Sequence, residues 1–179
     1  FRLTIGQLNA TVGDLEGNAS KARAAWETAK AAGADMLALP EMFITGYQTQ
    51  DLVMRPAFAL DAMAHVAMLA KACDTGPAIG VGAPLLEDDL LFNAYYILRG
   101  GEIIATLRKH ELPNTHVFDE VRQFSSGPIA GPYSLGNVRI GTPICEDAWH
   151  ADVPEALAES GAEILVVPNG SPYYRNKYD

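Results

Sequence analysis

The chain has 179 residues, enough for one domain or a large part of one, and its 49% hydrophobic and 20% charged residues are an ordinary globular composition. Its 13 basic and 22 acidic residues leave a net charge of −9, which argues against a phosphate-backbone binder built on clustered Lys and Arg. No apolar run approaches the roughly 20 residues needed to cross a bilayer. No signal peptide is visible, and two cysteines make no disulfide framework, so a reducing cytoplasm is the expected compartment.

The chain then reads as alternating strands and helices. Leu3 to Leu8 is an apolar strand bounded by Asn9. Asn18 is expected to cap the Ala-rich helix that follows, with Gly33 at its C′ position. Met36 to Leu39 is a short strand stopped by Pro40, which leaves Glu41 just past a strand end. Pro56 opens a second helix running towards Cys73, with Ala57, Leu60, Ala64 and Met68 near helical spacing. Ala78 to Ala83 is a third strand. Phe92 to Leu98 and Glu102 to Leu107 flank Gly100-Gly101, a hairpin signal that argues against a purely parallel sheet. Lys109 follows, then a long polar loop to Pro132, of a length that in compact domains is usually functional or disordered. Val138 to Ile144 is an apolar strand with Cys145 at its end. Asp152 is expected to cap a helix that stops before Gly161, and Ile164 to Val167 is a last strand ahead of Pro168-Asn169-Gly170-Ser171-Pro172. The alternation predicts an α/β fold.

Taken singly, the candidate residues are weak. Cys145 lies where α/β proteins favour sites, yet buried structural cysteines are common, and a thiol needs a base or cation to become a nucleophile. Glu41, flanked by apolar residues, would be a stronger base if desolvated, or else a solvated loop glutamate. Lys109 in Arg108-Lys109-His110-Glu111 reads most simply as part of a polar loop, and Glu120 equally well as a helix-start carboxylate. Asn169 and Ser171 sit in a turn, where such residues are expected anyway. A Cys145–His150 dyad is poorly supported by a five-residue separation. Cys145, Glu146, Asp147 and His150 lack metal-ligand spacing. Dinucleotide and P-loop fingerprints are absent, as is the G-x-S-x-G elbow.

Order and context together are specific. Leu39-Pro40-Glu41, Arg108-Lys109-x-x-Leu112-Pro113 and Ile144-Cys145-Glu146 resemble the three motifs of the nitrilase (carbon–nitrogen hydrolase) superfamily. Lys109-His110-Glu111-Leu112-Pro113-Asn114, Val117-Phe118-Asp119-Glu120-x-Arg122-x-Phe124, Cys145-Glu146-Asp147-Ala148-Trp149 and Pro168-Asn169-Gly170-Ser171-Pro172 are similar to the glutaminase domains of glutamine-dependent NAD+ synthetases. Thr115 stands where a tyrosine is often found in that branch, and Gly170 where alanine is common; the second departure is expected to matter little.

The resemblance implies a nitrilase-like α-β-β-α sandwich over residues 1–179, incomplete at its C-terminal end. It implies a catalytic triad of Glu41, Lys109 and Cys145, and a glutamine site formed by Phe118, Glu120, Glu146 and Ser171. It implies no cofactor in this domain. An ATP- and Mg2+-dependent synthetase domain is expected further C-terminal, to take up the ammonia and amidate nicotinic acid adenine dinucleotide. A homo-oligomer is expected, with no nucleic-acid or membrane partner. Two other readings stay open: a stand-alone amidase or nitrilase acting on another small amide, and a catalytically silent scaffold domain.

Overall fold

The computed structural model describes residues 1–172 and 175. Strand β1 is Leu3–Ile5, followed by helix α1 (Leu15–Ala31), β2 (Met36–Ala38), α2 (Pro56–Ala72), β3 (Ala78–Glu87), β4 (Leu90–Arg99) and β5 (Glu102–Arg108). A single helical turn, α3 (Glu120–Gln123), interrupts the long loop; β6 (Tyr133–Leu135), β7 (Val138–Gly141), α4 (Asp152–Glu159) and β8 (Ile164–Leu165) complete the fold. Strands β1 to β5 form one sheet in sequence order, parallel as far as β3 and antiparallel from there. A second sheet of three strands pairs β6 with β7 antiparallel and β7 with β8 parallel.

Strand alternation decides the layers, because successive side chains point to opposite faces. Leu37, Leu39, Ile79, Val81, Tyr96 and Leu98 face the two long helices, meeting Trp26, Ala62, Val66 and Leu69. Their neighbours Met36, Ala38, Ala78, Tyr95 and Ile97 face the second sheet, where they meet Leu135, Ile140, Ile144 and Val166. Helix α4 buries Val153 and Leu157 and packs on the outer side of β7. The order of layers is thus helix, sheet, sheet, helix, as the resemblance implied.

Several local expectations are met. Gly33 follows α1 with a φ of 66°, Pro56 opens α2, and Gly100 and Gly101 both adopt positive φ in the β4–β5 turn. Others are corrected. The α1 cap is Asp14, whose carboxylate accepts from the Gly17 N–H at 2.9 Å. Asn18 lies inside the helix, fully buried, where it donates to the carbonyls of Thr11 and Ile44 and accepts from the Thr11 N–H. It is therefore a brace for the loop that follows Glu41. Leu60 and Met68 point outward; the buried stripe of α2 is Ala59, Ala62, Val66, Leu69 and Ala70. That helix is apolar almost all round, so spacing could not tell its two faces apart. Asp152 is the first helical residue of α4, with Ala151 before it. Two further hairpins, β3–β4 across Asp88-Asp89 and β6–β7, carry no glycine pair to announce them.

Gly82 on β3 sets the position of Glu41. Its N–H donates to the Pro40 carbonyl (3.2 Å), and its own carbonyl accepts from the Ile44 N–H (3.0 Å). A Cβ added there would lie 2.1 Å from the Met42 nitrogen and 2.6 Å from the Glu41 carbonyl carbon. Both are backbone atoms, which cannot rotate away. Replacing Gly82 with Ala is expected to lower stability by about 1–3 kcal/mol, as overpacking does. Urea unfolding would show a lower midpoint; an unchanged midpoint would mean the loop yields freely.

Candidate active site

Three chain segments meet at the top of the larger sheet. Glu41 enters on the loop after β2, Lys109 immediately after β5, and Glu120 on the turn α3. Sequence reasoning left each open to a solvent-facing reading; all three are buried, with Glu41 at 2%, Lys109 at 0% and Glu120 at 1% exposure. The Lys109 ammonium lies 2.7 Å from Glu41 Oε1 and 2.8 Å from Glu120 Oε2. Burial acts to lower the Lys109 pKa, but the two carboxylates outweigh it and the net shift is upward, so the lysine stays charged. Glu120 does begin a helical turn; the same residue grips the lysine. Burial pushes its carboxyl up, against the pull of the lysine.

Cys145 starts a short 3-10 turn, Cys145–Trp149, after β7. Its φ of 49° is in the left-handed region, unusual for a residue with a Cβ. Such a conformation persists only where neighbours fix it. Here the Cys145 N–H donates to the Pro168 carbonyl at 3.0 Å. Asp147, 2% exposed, accepts from the Ile144 N–H at 2.9 Å and from the His110 and Glu111 N–H groups at 3.0 and 2.7 Å. One buried carboxylate thereby ties the Cys145 turn to the Lys109 segment. The thiol itself is pushed up to about 11, first by burial and then by the Glu41 charge, against the opposing effect of Lys109 and the Gly170 N–H. The resting cysteine is a neutral thiol next to a carboxylate.

The remaining predicted residues surround this centre less closely. Phe118 is half-buried, its ring 6.1 Å from that of Tyr47. Glu146 is half-buried on the Cys145 turn and pairs with His150, Nε2 to Oε1 at 3.5 Å. Ser171 is exposed and follows Gly170. Thr115 is exposed on the long loop. Gly170 matters more than expected: a Cβ there would lie 2.4 Å from Tyr47 Cδ1 and 2.8 Å from Glu41 Oε2. Among the described residues no three His, Cys, Asp or Glu side chains cluster as metal ligands would.

Sequence reasoning passed over Asn93, Tyr47 and the role of Asp147. Asn93 had a signal: it is the one polar residue in Leu91-Phe92-Asn93-Ala94-Tyr95, part of a strand buried on both faces. A buried polar residue is retained only with partners, and its partners are Glu41 and Glu120. Tyr47 donates a short hydrogen bond to Glu120 Oε1. Burial and the nearby carboxylates raise its pKa, so it stays a neutral donor. Nothing local in the sequence marked it.

A buried thiol with a carboxylate and an ammonium beside it has the groups that nucleophilic acyl transfer requires. The chain belongs to the carbon–nitrogen hydrolase family, whose sequence profile matches residues 2–179. It is 57% identical over 179 residues to the glutamine-dependent NAD(+) synthetase of Rhodobacter capsulatus, and 36% identical over 180 residues to that of Thermotoga maritima. It covers 100% and 99% of its own length in these matches, but only 32% and 31% of theirs, so it spans about a third of those relatives. Among solved structures, the glutamine-dependent NAD+ synthetase of Acinetobacter baumannii superposes with a TM-score of 0.88 at 26% identity, over 97% of this chain and 33% of that one. An amidase from Nesterenkonia sp. shares the fold, with a TM-score of 0.82 at 22% identity over 94% of this chain and 64% of that one.

The electrostatics make one prediction independent of any substrate. Glu41 holds the Cys145 thiol up, so Glu41→Gln should increase the thiolate fraction at a given pH. Alkylation of Cys145, followed on its own peptide to exclude Cys73, should then reach half its limiting rate at a lower pH than in the wild type. A midpoint that stays put or rises would show that the carboxylate does not face the sulfur.

Proposed function

We propose that this chain is the glutaminase part of a glutamine-dependent NAD+ synthetase, hydrolysing the glutamine side-chain amide through a Cys145 thioester. The observation that carries this reading is the buried Lys109 held between Glu41 and Glu120 beside a buried thiol. The match to synthetases along the whole chain favours glutamine as the amide.

In this mechanism Glu41 takes the thiol proton as Sγ attacks the carboxamide carbon. Negative charge moves to the carbonyl oxygen, where the Lys109 ammonium and the Glu146 N–H hold it; loss of one such donor typically costs roughly 3–4 kcal/mol of barrier. The carbon–nitrogen bond breaks, Glu41 returns its proton to the leaving nitrogen, and ammonia departs. A water then gives a proton to Glu41 and attacks the thioester. Glutamate leaves and Cys145 regains its proton. A neutral resting thiol suits this scheme, since deprotonation is coupled to attack. Glu120 orients the lysine, with Phe118, Glu146 and Ser171 around the bound glutamine.

On the same reading, ammonia passes to a synthetase domain outside this chain, which uses ATP and Mg2+ to amidate nicotinic acid adenine dinucleotide. The setting is cytoplasmic and homo-oligomeric. Supporting a reducing compartment, Cys73 and Cys145 are unpaired; among the described residues no helix is long and apolar enough to cross a membrane. A stand-alone amidase would use the same cluster. The synthetase reading is favoured by its relatives' identity, which is higher than the amidase's.

Cys145→Ala in the full-length protein is expected to abolish glutamine-dependent NAD+ formation and leave ammonium-dependent formation intact. In the wild type, mass spectrometry after an acid quench should find a glutamyl adduct on the Cys145 peptide. Absence of glutamate release, with ATP and the dinucleotide present, would count against the reading.

A further inference from the structure

We infer that Asn93 is a positioning residue that commits one oxygen of Glu41 to structural pairing and leaves the other free to exchange a proton with Cys145. The inference rests on the reading of Glu41 as base.

Asn93 is fully buried in the middle of β4. Its Nδ2 donates to Glu41 Oε1 at 2.8 Å and to Glu120 Oε1 at 3.1 Å. A side-chain amide has two N–H bonds, and both are used, one on each carboxylate. Its backbone carbonyl accepts the Lys109 N–H at 2.8 Å. A single residue thus touches all three charged members of the cluster.

The consequence falls on the two oxygens of Glu41. Oε1 accepts from Lys109 at 2.7 Å and from Asn93 at 2.8 Å. Oε2 is buried and accepts no hydrogen bond from the described residues. Gly170 packs over it: a Cβ there would lie 2.8 Å away, and Gly170 is two residues beyond Pro168, whose carbonyl accepts the Cys145 N–H at 3.0 Å. The bare oxygen therefore lies on the nucleophile's side. A carboxylate whose oxygens were both paired would have to break a buried hydrogen bond to accept a proton. A bare one does not.

The neutral donor is also chosen by charge. With both carboxylates ionised, Glu41 and Glu120 outweigh the Lys109 ammonium by one negative charge. A second cation at position 93 would cancel it and weaken the base. An amide holds Oε1 without doing so. The amide cannot be turned over without aiming its oxygen at two carboxylates, and in the observed orientation Asn93 Oδ1 is buried without a partner among the described residues.

The test uses the full-length protein and a double-mutant cycle of Asn93→Leu with Glu41→Gln. Asn93→Leu keeps the approximate shape and removes both donors. For glutamine hydrolysis, kcat is expected to fall roughly 10- to 100-fold, the rate equivalent of a hydrogen bond to a charged group, with KM changed by less than about threefold. The pH midpoint of Cys145 alkylation should rise, opposite to the effect of Glu41→Gln, and Asn93→Leu should add nothing in the Glu41→Gln background. Equal effects of Asn93→Leu in both backgrounds, or a lowered melting temperature with kcat, KM and the alkylation midpoint unchanged, would overturn the inference. Should Asn93→Leu fail to fold, the isosteric Asn93→Asp serves: its carboxyl donates only while protonated, so activity should drop more steeply with rising pH than in the wild type, and a parallel profile would overturn the inference. A wild type that releases no glutamate, yet shows the coupled alkylation cycle, would sink the glutaminase reading and leave the positioning role standing.

Discussion

A buried ammonium between two carboxylates is the constraint on which this molecule turns. Taking an ion out of water costs several kcal/mol, and only close, well-directed partners offset it. Lys109 has such partners at 2.7 and 2.8 Å. They come from positions far apart in the chain, so the fold must bring the ends of β2 and β5 and the turn α3 to one place. Removing Lys109 would leave two carboxylates buried together with no cation between them. The cluster is thus a structural demand and a chemical resource at once.

Much of the surrounding backbone serves that demand. Gly82 lets the Glu41 loop lie directly on β3, and Asn18 braces the same loop through the Ile44 carbonyl. Asp147 gathers three N–H groups from the Lys109 and Cys145 segments. These contacts hold Cys145 in a left-handed conformation that an isolated chain would seldom adopt. The position of the thiol relative to the carboxylate is therefore set by backbone packing, and the chemistry depends on it.

The nitrilase-like sandwich gives the site its setting. The larger sheet carries Glu41, Asn93 and Lys109 on or just beyond strands β2, β4 and β5, and the second sheet delivers Cys145 from the opposite layer. The reacting groups meet where the two sheets face each other. A site built across two layers responds to changes in the packing between them, even those made far from the thiol.

Local chemistry was readable in the sequence because it is decided within a few residues. Gly33, Pro56, Gly100-Gly101 and Gly161 mark their turns and helix ends, since backbone geometry there admits little else. The order Glu41, Lys109, Cys145, each in its own short context, was also readable, and it pointed to the family. What only the tertiary structure decided were matters of partnership. Asp14 and Asn18 are both competent caps, and the choice between them depended on carbonyls outside the helix. Helix α2 is apolar nearly all round, so its buried face was set by what it packs against. Asn93 and Tyr47 could be assigned only once the carboxylates they contact were in place, because a hydrogen bond between residues tens of positions apart leaves no periodic trace in the chain.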